Sequence, residues 1–100
     1  MIESESKTYD VTIICENIET LNRSEKDLIM VYDDMGYGRH LFYSESNIDT
    51  TFDMKNAVIK TEFLGDVEAK VELEENERAI IYIDYLTKTI TVEKELVLTR

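Results

Sequence analysis

The sequence predicts an all-β fold, a small antiparallel β-sandwich or barrel of about eight short strands. Three observations carry that expectation. Several segments alternate apolar and polar residues, the pattern of a strand with one face buried. Between them, turn-forming clusters recur at roughly 8–12-residue spacing, as in sandwiches and barrels. The remaining apolar runs are dense in β-branched and aromatic residues. Proline is absent, so the turns must be built from Asn, Asp, Gly and Lys.

Residues 1–7 are polar and read as an N-terminal arm, leaving 8–100 as a single β domain. In TYDVTIIC (8–15), Tyr9, Val11, Ile13 and Cys15 share one face, with Asp10 and Thr12 on the other. Residues 16–26 are polar and aperiodic, a long loop with room for one helical turn. DLIMVYD (27–33) and RHLFYS (39–44) are strands joined across 33–38, where Gly36 and Gly38 supply the positive φ of a hairpin loop. SNIDTTFDM (46–54) alternates again, with Ile48, Thr50, Phe52 and Met54 on one face.

AVIKTEFL (57–64) reads as a further strand. Residues 53–64 also fit a helix capped by Asp53 and stopped by Gly65, which would give an α+β fold with that helix packed on an antiparallel sheet. VEAKVELE (67–74) has the cleanest alternation: Val67, Ala69, Val71 and Leu73 inward, Glu68, Lys70, Glu72 and Glu74 outward. RAIIYIDY (78–85) is apolar on both faces apart from Asp84, as a central strand covered on both sides would be. TITVEKELVLTR (89–100) closes the chain, with a phase break at Lys94 or Glu95 that fits a bulge.

Composition narrows the function. The chain carries 22 acids against 11 bases, a net charge of −11. That exceeds the roughly 2–8 charges that solubility asks of a small domain. It repels nucleic acid and anionic membrane, attracts basic partners and opposes self-association, so the free chain is expected to be a monomer. One cysteine cannot form an internal disulfide, and the polar N-terminus is not a secretory signal. The longest apolar run, AIIYI, is too short to span a bilayer. The expected location is the cytoplasm of a bacterium or of a phage-infected host.

The residues that catch the eye for chemistry lie in VYDDMGYGRHLFY (31–43), which holds the single histidine. Gly36-Tyr37-Gly38 lacks the spacing of a phosphate-binding loop. His40 with Asp33 or Asp34 as its orienting acid would still need a nucleophile. Cys15 sits on an inward face, and neither Ser44 nor Ser46 has a nucleophile-elbow context. ELEENE (72–77) is acid-rich without the loop pattern that wraps calcium. No catalytic residue, cofactor or metal site is therefore expected. The dispersed bases also exclude a basic patch for direct nucleic-acid binding.

What remains is a surface. Glu68, Glu72 and Glu74 line one side of their strand, with Glu75 and Glu77 beyond, and Asp84, Glu93 and Glu95 could extend the array. Such a carboxylate lattice can enter the basic groove of a nucleic-acid enzyme. Asp33, Asp34 and Tyr37 at the hairpin would add charge and an aromatic anchor, with Tyr32 and Tyr43 nearby. The expected function is that of a small non-catalytic inhibitor of a basic, nucleic-acid-handling protein such as a nuclease. Phage antagonists of bacterial defence and toxin-neutralising immunity proteins have this profile. The alternatives are a structural or assembly β-module using sheet edges, and a binder of an apolar ligand inside a barrel.

Overall fold

The computed structural model describes residues 7–22 and 24–97. The alternating segments become eight strands: β1 (Tyr9–Glu16), β2 (Leu28–Asp33), β3 (Gly38–Tyr43), β4 (Asn47–Phe52), β5 (Asn56–Thr61), β6 (Glu68–Glu72), β7 (Glu77–Asp84) and β8 (Thr89–Leu96). They form two four-stranded sheets, a sandwich as expected. The front sheet has the order β4-β1-β7-β8 and the back sheet β3-β2-β5-β6. The expected arm, 1–7, lies outside the described residues except for Lys7, which reaches Glu75 at 2.6 Å. Among the described residues no helix is long and apolar enough to cross a membrane.

The back sheet is antiparallel throughout. The front sheet departs from that expectation at its centre, where β1 and β7 run parallel, while β4 and β8 flank them antiparallel. The inward faces meet as the alternation requires. Val11, Ile13, Phe52, Ile81 and Ile83 from the front pack against Ile29, Val31, Ala57, Ile59 and Val71 from the back, all buried.

Two local expectations are corrected, and the helical alternative for 53–64 is not realised. Residues 53–64 are not a helix: a turn at 53–55 leads into β5, because alternate residues Ala57, Ile59 and Thr61 find the core at strand spacing. The β7–β8 register runs unbroken from Glu77↔Leu96 to Asp84↔Thr89, so Lys94 and Glu95 carry no bulge. Lys94 at this end instead pairs with Glu77 at 3.8 Å. The irregularity lies between β2 and β3, where Val31 opposes His40 but Tyr32 opposes Gly38. Finally, β7 is central within its sheet but not covered on both faces. Its outward residues Ile80 and Tyr82 are only half-buried.

The turns use the residues expected of a proline-free chain. Asn76 and Lys88 hold positive φ of 69° and 61° in the β6–β7 and β7–β8 turns. The loop after β1 contains one 3-10 turn, Ile18–Leu21, bounded by left-handed Asn17 and Asn22. Asp27 pins the far end of the sandwich. Its carboxylate accepts from Tyr85 Oη and from the Phe63 N–H, both at 2.8 Å, and its own N–H donates to Ser44 Oγ at 3.0 Å. This fully buried group ties together the chain segments that leave β7, β5 and β3.

Candidate partner-binding surface

The hairpin tip is built by Asp33. Its Oδ1 accepts from the N–H groups of Met35 and Tyr37 at 3.0 and 2.9 Å, and its carbonyl accepts from the Gly36 N–H at 3.0 Å. Gly36 holds φ +91°, whereas Gly38 does not need a positive φ: a Cβ there would sit 3.6 Å from the Tyr32 ring. Asp33 is thus occupied by the turn, and its Oδ2 lies 3.8 Å from Arg39. Asp34, Met35 and Tyr37 project into solvent.

The histidine does not find the acid expected of it. His40 Nε2 lies 3.3 Å from Asp53 Oδ1, not beside Asp33 or Asp34, because the β4–β5 turn is brought up to the β3 edge. The ring stacks on Phe52 and Phe42, with centroids 5.2 and 6.1 Å apart. Burial alone would push Asp53 up, but the hydrogen bond with His40 and the charge of Arg39 outweigh it and hold the carboxyl below its ordinary value. His40 thus contacts a carboxylate and two aromatic rings, with no hydroxyl or thiol among these partners. Cys15 is buried, and that burial pushes its thiol up, away from the reactive thiolate. Ser44 Oγ is engaged by the Asp27 N–H. Among the described residues no group of three or more His, Cys, Asp or Glu could hold a metal ion.

The other expected binding residues divide between places. Glu68 and Glu72 point outward from β6, but they do not make a carboxylate lattice. The register sets Lys60 opposite Glu68 and interposes Lys70, and Lys55 reaches Glu72 at 3.8 Å. Glu74 and Glu75 lie in the β6–β7 turn, and Glu77 begins β7 in the other sheet. Strand direction brings the hairpin tip, the β4–β5 turn and the β6–β7 turn to one end of the sandwich. Asp33, Asp34, Tyr37, Glu72, Glu74, Glu75 and Glu77 therefore share that end, while Glu68 lies farther along β6. Several of these acids already carry partners: Glu75 with Lys7, Glu77 with Lys94 and Asp33 with Arg39.

The concentrated negative charge is on the front sheet. Register places Asp10, Thr12, Ile14 and Glu16 of β1 beside Arg78, Ile80, Tyr82 and Asp84 of β7 on the outward face. Asn47, Asp49 and Thr51 of β4 flank them on one side, and Thr89, Thr91, Glu93 and Glu95 of β8 on the other. Six carboxylates (Asp10, Glu16, Asp49, Asp84, Glu93, Glu95) thus share a face with the single base Arg78. Arg78 donates to Thr12 Oγ1 at 2.8 Å and lies 3.9 Å from Asp49 and 4.0 Å from Asp10. From Asp49 on one edge to Glu93 on the other is three strand spacings, roughly 14 Å. Ile14, Ile80 and Tyr82 are half-buried at its centre.

The field of this face is felt by its tyrosine. Desolvation, then Glu93, then Glu16 and Glu95, push the Tyr82 hydroxyl above its ordinary value. Asp84 is held below its ordinary value, first by the Asn17 side chain at 2.9 Å and then by N–H groups of the β7–β8 turn. Asp84, Glu93 and Glu95 entered the sequence reading only as extensions of a β6 array. Asp10 entered it only as an outward residue of the first strand, and Glu16 and Asp49 were assigned to no surface. Their outward positions were legible from alternation, but their juxtaposition depends on strand pairings that no local pattern encodes. Comparison with protein-family models, with curated proteins and with solved structures finds no match to the chain, so its functional reading rests on this geometry.

Proposed function

We propose that the chain is a small acidic, non-catalytic protein that binds and inhibits a basic, nucleic-acid-handling protein through the outward face of its front sheet. One observation carries the reading: six carboxylates and one arginine surround a half-buried Ile14, Ile80 and Tyr82. The carboxylates steer a cationic partner and meet its Lys and Arg side chains, while the Tyr82 ring and the two isoleucines give the dehydrated contact that fixes orientation. Successive outward positions on a strand stand about 6.6–6.8 Å apart, close to twice the 3.4 Å spacing of charges along one DNA strand. The same charge disfavours anionic partners.

The test uses the proteins of a bacterial extract that bind heparin, which are enriched in cationic nucleic-acid-binding surfaces. The immobilised chain should retain a small subset at low salt and release it as salt rises, through a slower association rate. Retention that is indifferent to salt would remove the electrostatic basis of the proposal.

A further inference from the structure

We infer that the β3 edge of the back sheet is a self-association surface, where a second copy of the chain adds its own β3 antiparallel to form a continuous eight-stranded sheet. The four sheet edges are not alike. β8 presents Glu93, Lys94 and Glu95, β6 presents Glu68, Lys70 and Glu72, and β4 presents Asp49 between Asn47 and Thr51. Charges of this kind deter strand pairing at an exposed edge. β3 lacks that protection at its centre. Leu41 and Tyr43 are 68% and 64% exposed, and the strand's one full charge, Arg39, is engaged by Asp33 and Asp53 at its start.

The backbone is set for pairing. The Ser44 N–H donates to the Asp27 carbonyl at 2.9 Å, so by antiparallel alternation Phe42 and His40 direct their main-chain groups to β2. Leu41 and Tyr43 then direct theirs to the open edge. A two-fold axis midway between the two copies of Leu41 sets that residue against its counterpart and Phe42 across from His40, a self-complementary register. Met35 and Tyr37, 74% and 66% exposed, stand at the tip of the same hairpin.

Charge distribution selects a second copy as the occupant. The whole-chain value of −11 argues for a monomer, but the charge is uneven. On the outward face of the back sheet, Lys60 and Lys70 balance Glu68 and Glu72, and β2 contributes Leu28, Met30 and Tyr32. The copies thus meet along the less charged sheet. Their axis stands perpendicular to it, so both acidic front faces point the same way and the pair is bivalent for a cationic partner. Repulsion between the remaining charges means that salt strengthens this association, opposite in sign to its effect on binding the cationic partner.

Sedimentation equilibrium of the full chain, from micromolar to millimolar at low and high salt, tests the inference. The mass should rise from 11.7 kDa toward that of a dimer, more readily in high salt. Leu41→Lys, an exposed edge substitution, should weaken association by about tenfold or more. Leu86→Lys, equally exposed in the β7–β8 turn, should leave it unchanged. Matching circular dichroism and melting temperature establish that both variants fold. A wild-type chain that stays monomeric at millimolar concentration in high salt overturns the inference, and so does a dimer indifferent to Leu41→Lys. Saturable capture of an alternating Lys-Val peptide at β3 by a persistently monomeric chain also overturns it, assigning the edge to a foreign strand.

Discussion

At the scale of the residue, His40 contacts Asp53 and two aromatic rings, Cys15 is buried and Ser44 meets the Asp27 N–H, while the most deeply held polar residue had not stood out. Asp27 is a carboxylate with no access to water, held by Tyr85, Phe63 and Ser44. Asp27→Ala leaves the Phe63 N–H and the Tyr85 hydroxyl without their acceptor, and a loss of about 2–4 kcal/mol is expected in urea unfolding. Gly36 at φ +91° has open space around it, so Gly36→Ala should cost about 1 kcal/mol through backbone strain alone. Asp84 provides a pH signature. Its folded pKa lies below the ordinary 3.8, so its contribution is present above that value and is lost as pH falls through the folded pKa. Wild-type stability should therefore fall more steeply than that of Asp84→Asn below about pH 4, the difference cancelling effects common to both. Tyr82 reports the front face directly. Neutralising Glu16, Glu93 and Glu95 to glutamine should move its titration down toward the ordinary 10.0, measured by ultraviolet difference spectroscopy. An unmoved Tyr82 would mean that those charges do not act together.

At the scale of the element, alternation made the strands legible because one buried face imposes a two-residue period that the sequence must show. VEAKVELE announced β6, and TYDVTIIC announced β1, to within a residue or two. The 53–64 segment was ambiguous because a short apolar run bounded by Asp and Gly satisfies either period, and only the core contacts of Ala57 and Ile59 decide it. Pairing was not legible. β1 lies beside β7, more than sixty residues away, and this parallel pair places Asp10 and Glu16 with Arg78 and Asp84. A reading limited to neighbours along the chain therefore gathered its acids on β6, where the register supplies lysines to balance them. The pairing order has its own observable. In native-state hydrogen exchange, the amides of the inner strands β1, β7, β2 and β5, flanked on both sides, should open last, and the open-edge amides of β4, β6 and β8 should exchange earliest among strand residues.

At the scale of the whole molecule, the sandwich sorts its charge. The front sheet presents six carboxylates around an apolar and aromatic centre, and the outward strand positions of the back sheet are balanced. Net charge makes the fold itself sensitive to ions. With −11 on one domain, added salt screens self-repulsion and should raise the melting temperature, while the same salt weakens capture of a cationic partner. These opposite signs separate stability from recognition in one titration. Under the proposed function, recognition belongs to the front face rather than to β6 and the neighbouring turns. It is tested most directly by measuring retention of the heparin-binding fraction on two variants of equal charge change. Glu16→Gln/Glu93→Gln/Glu95→Gln alters exposed positions of the front face, and Glu62→Gln/Glu68→Gln/Glu74→Gln alters exposed positions beyond β5, in β6 and in the β6–β7 turn. Retention should fall on the order of tenfold for the first variant and stay near wild type for the second. Equal losses in both, or a loss confined to the second, would contradict it.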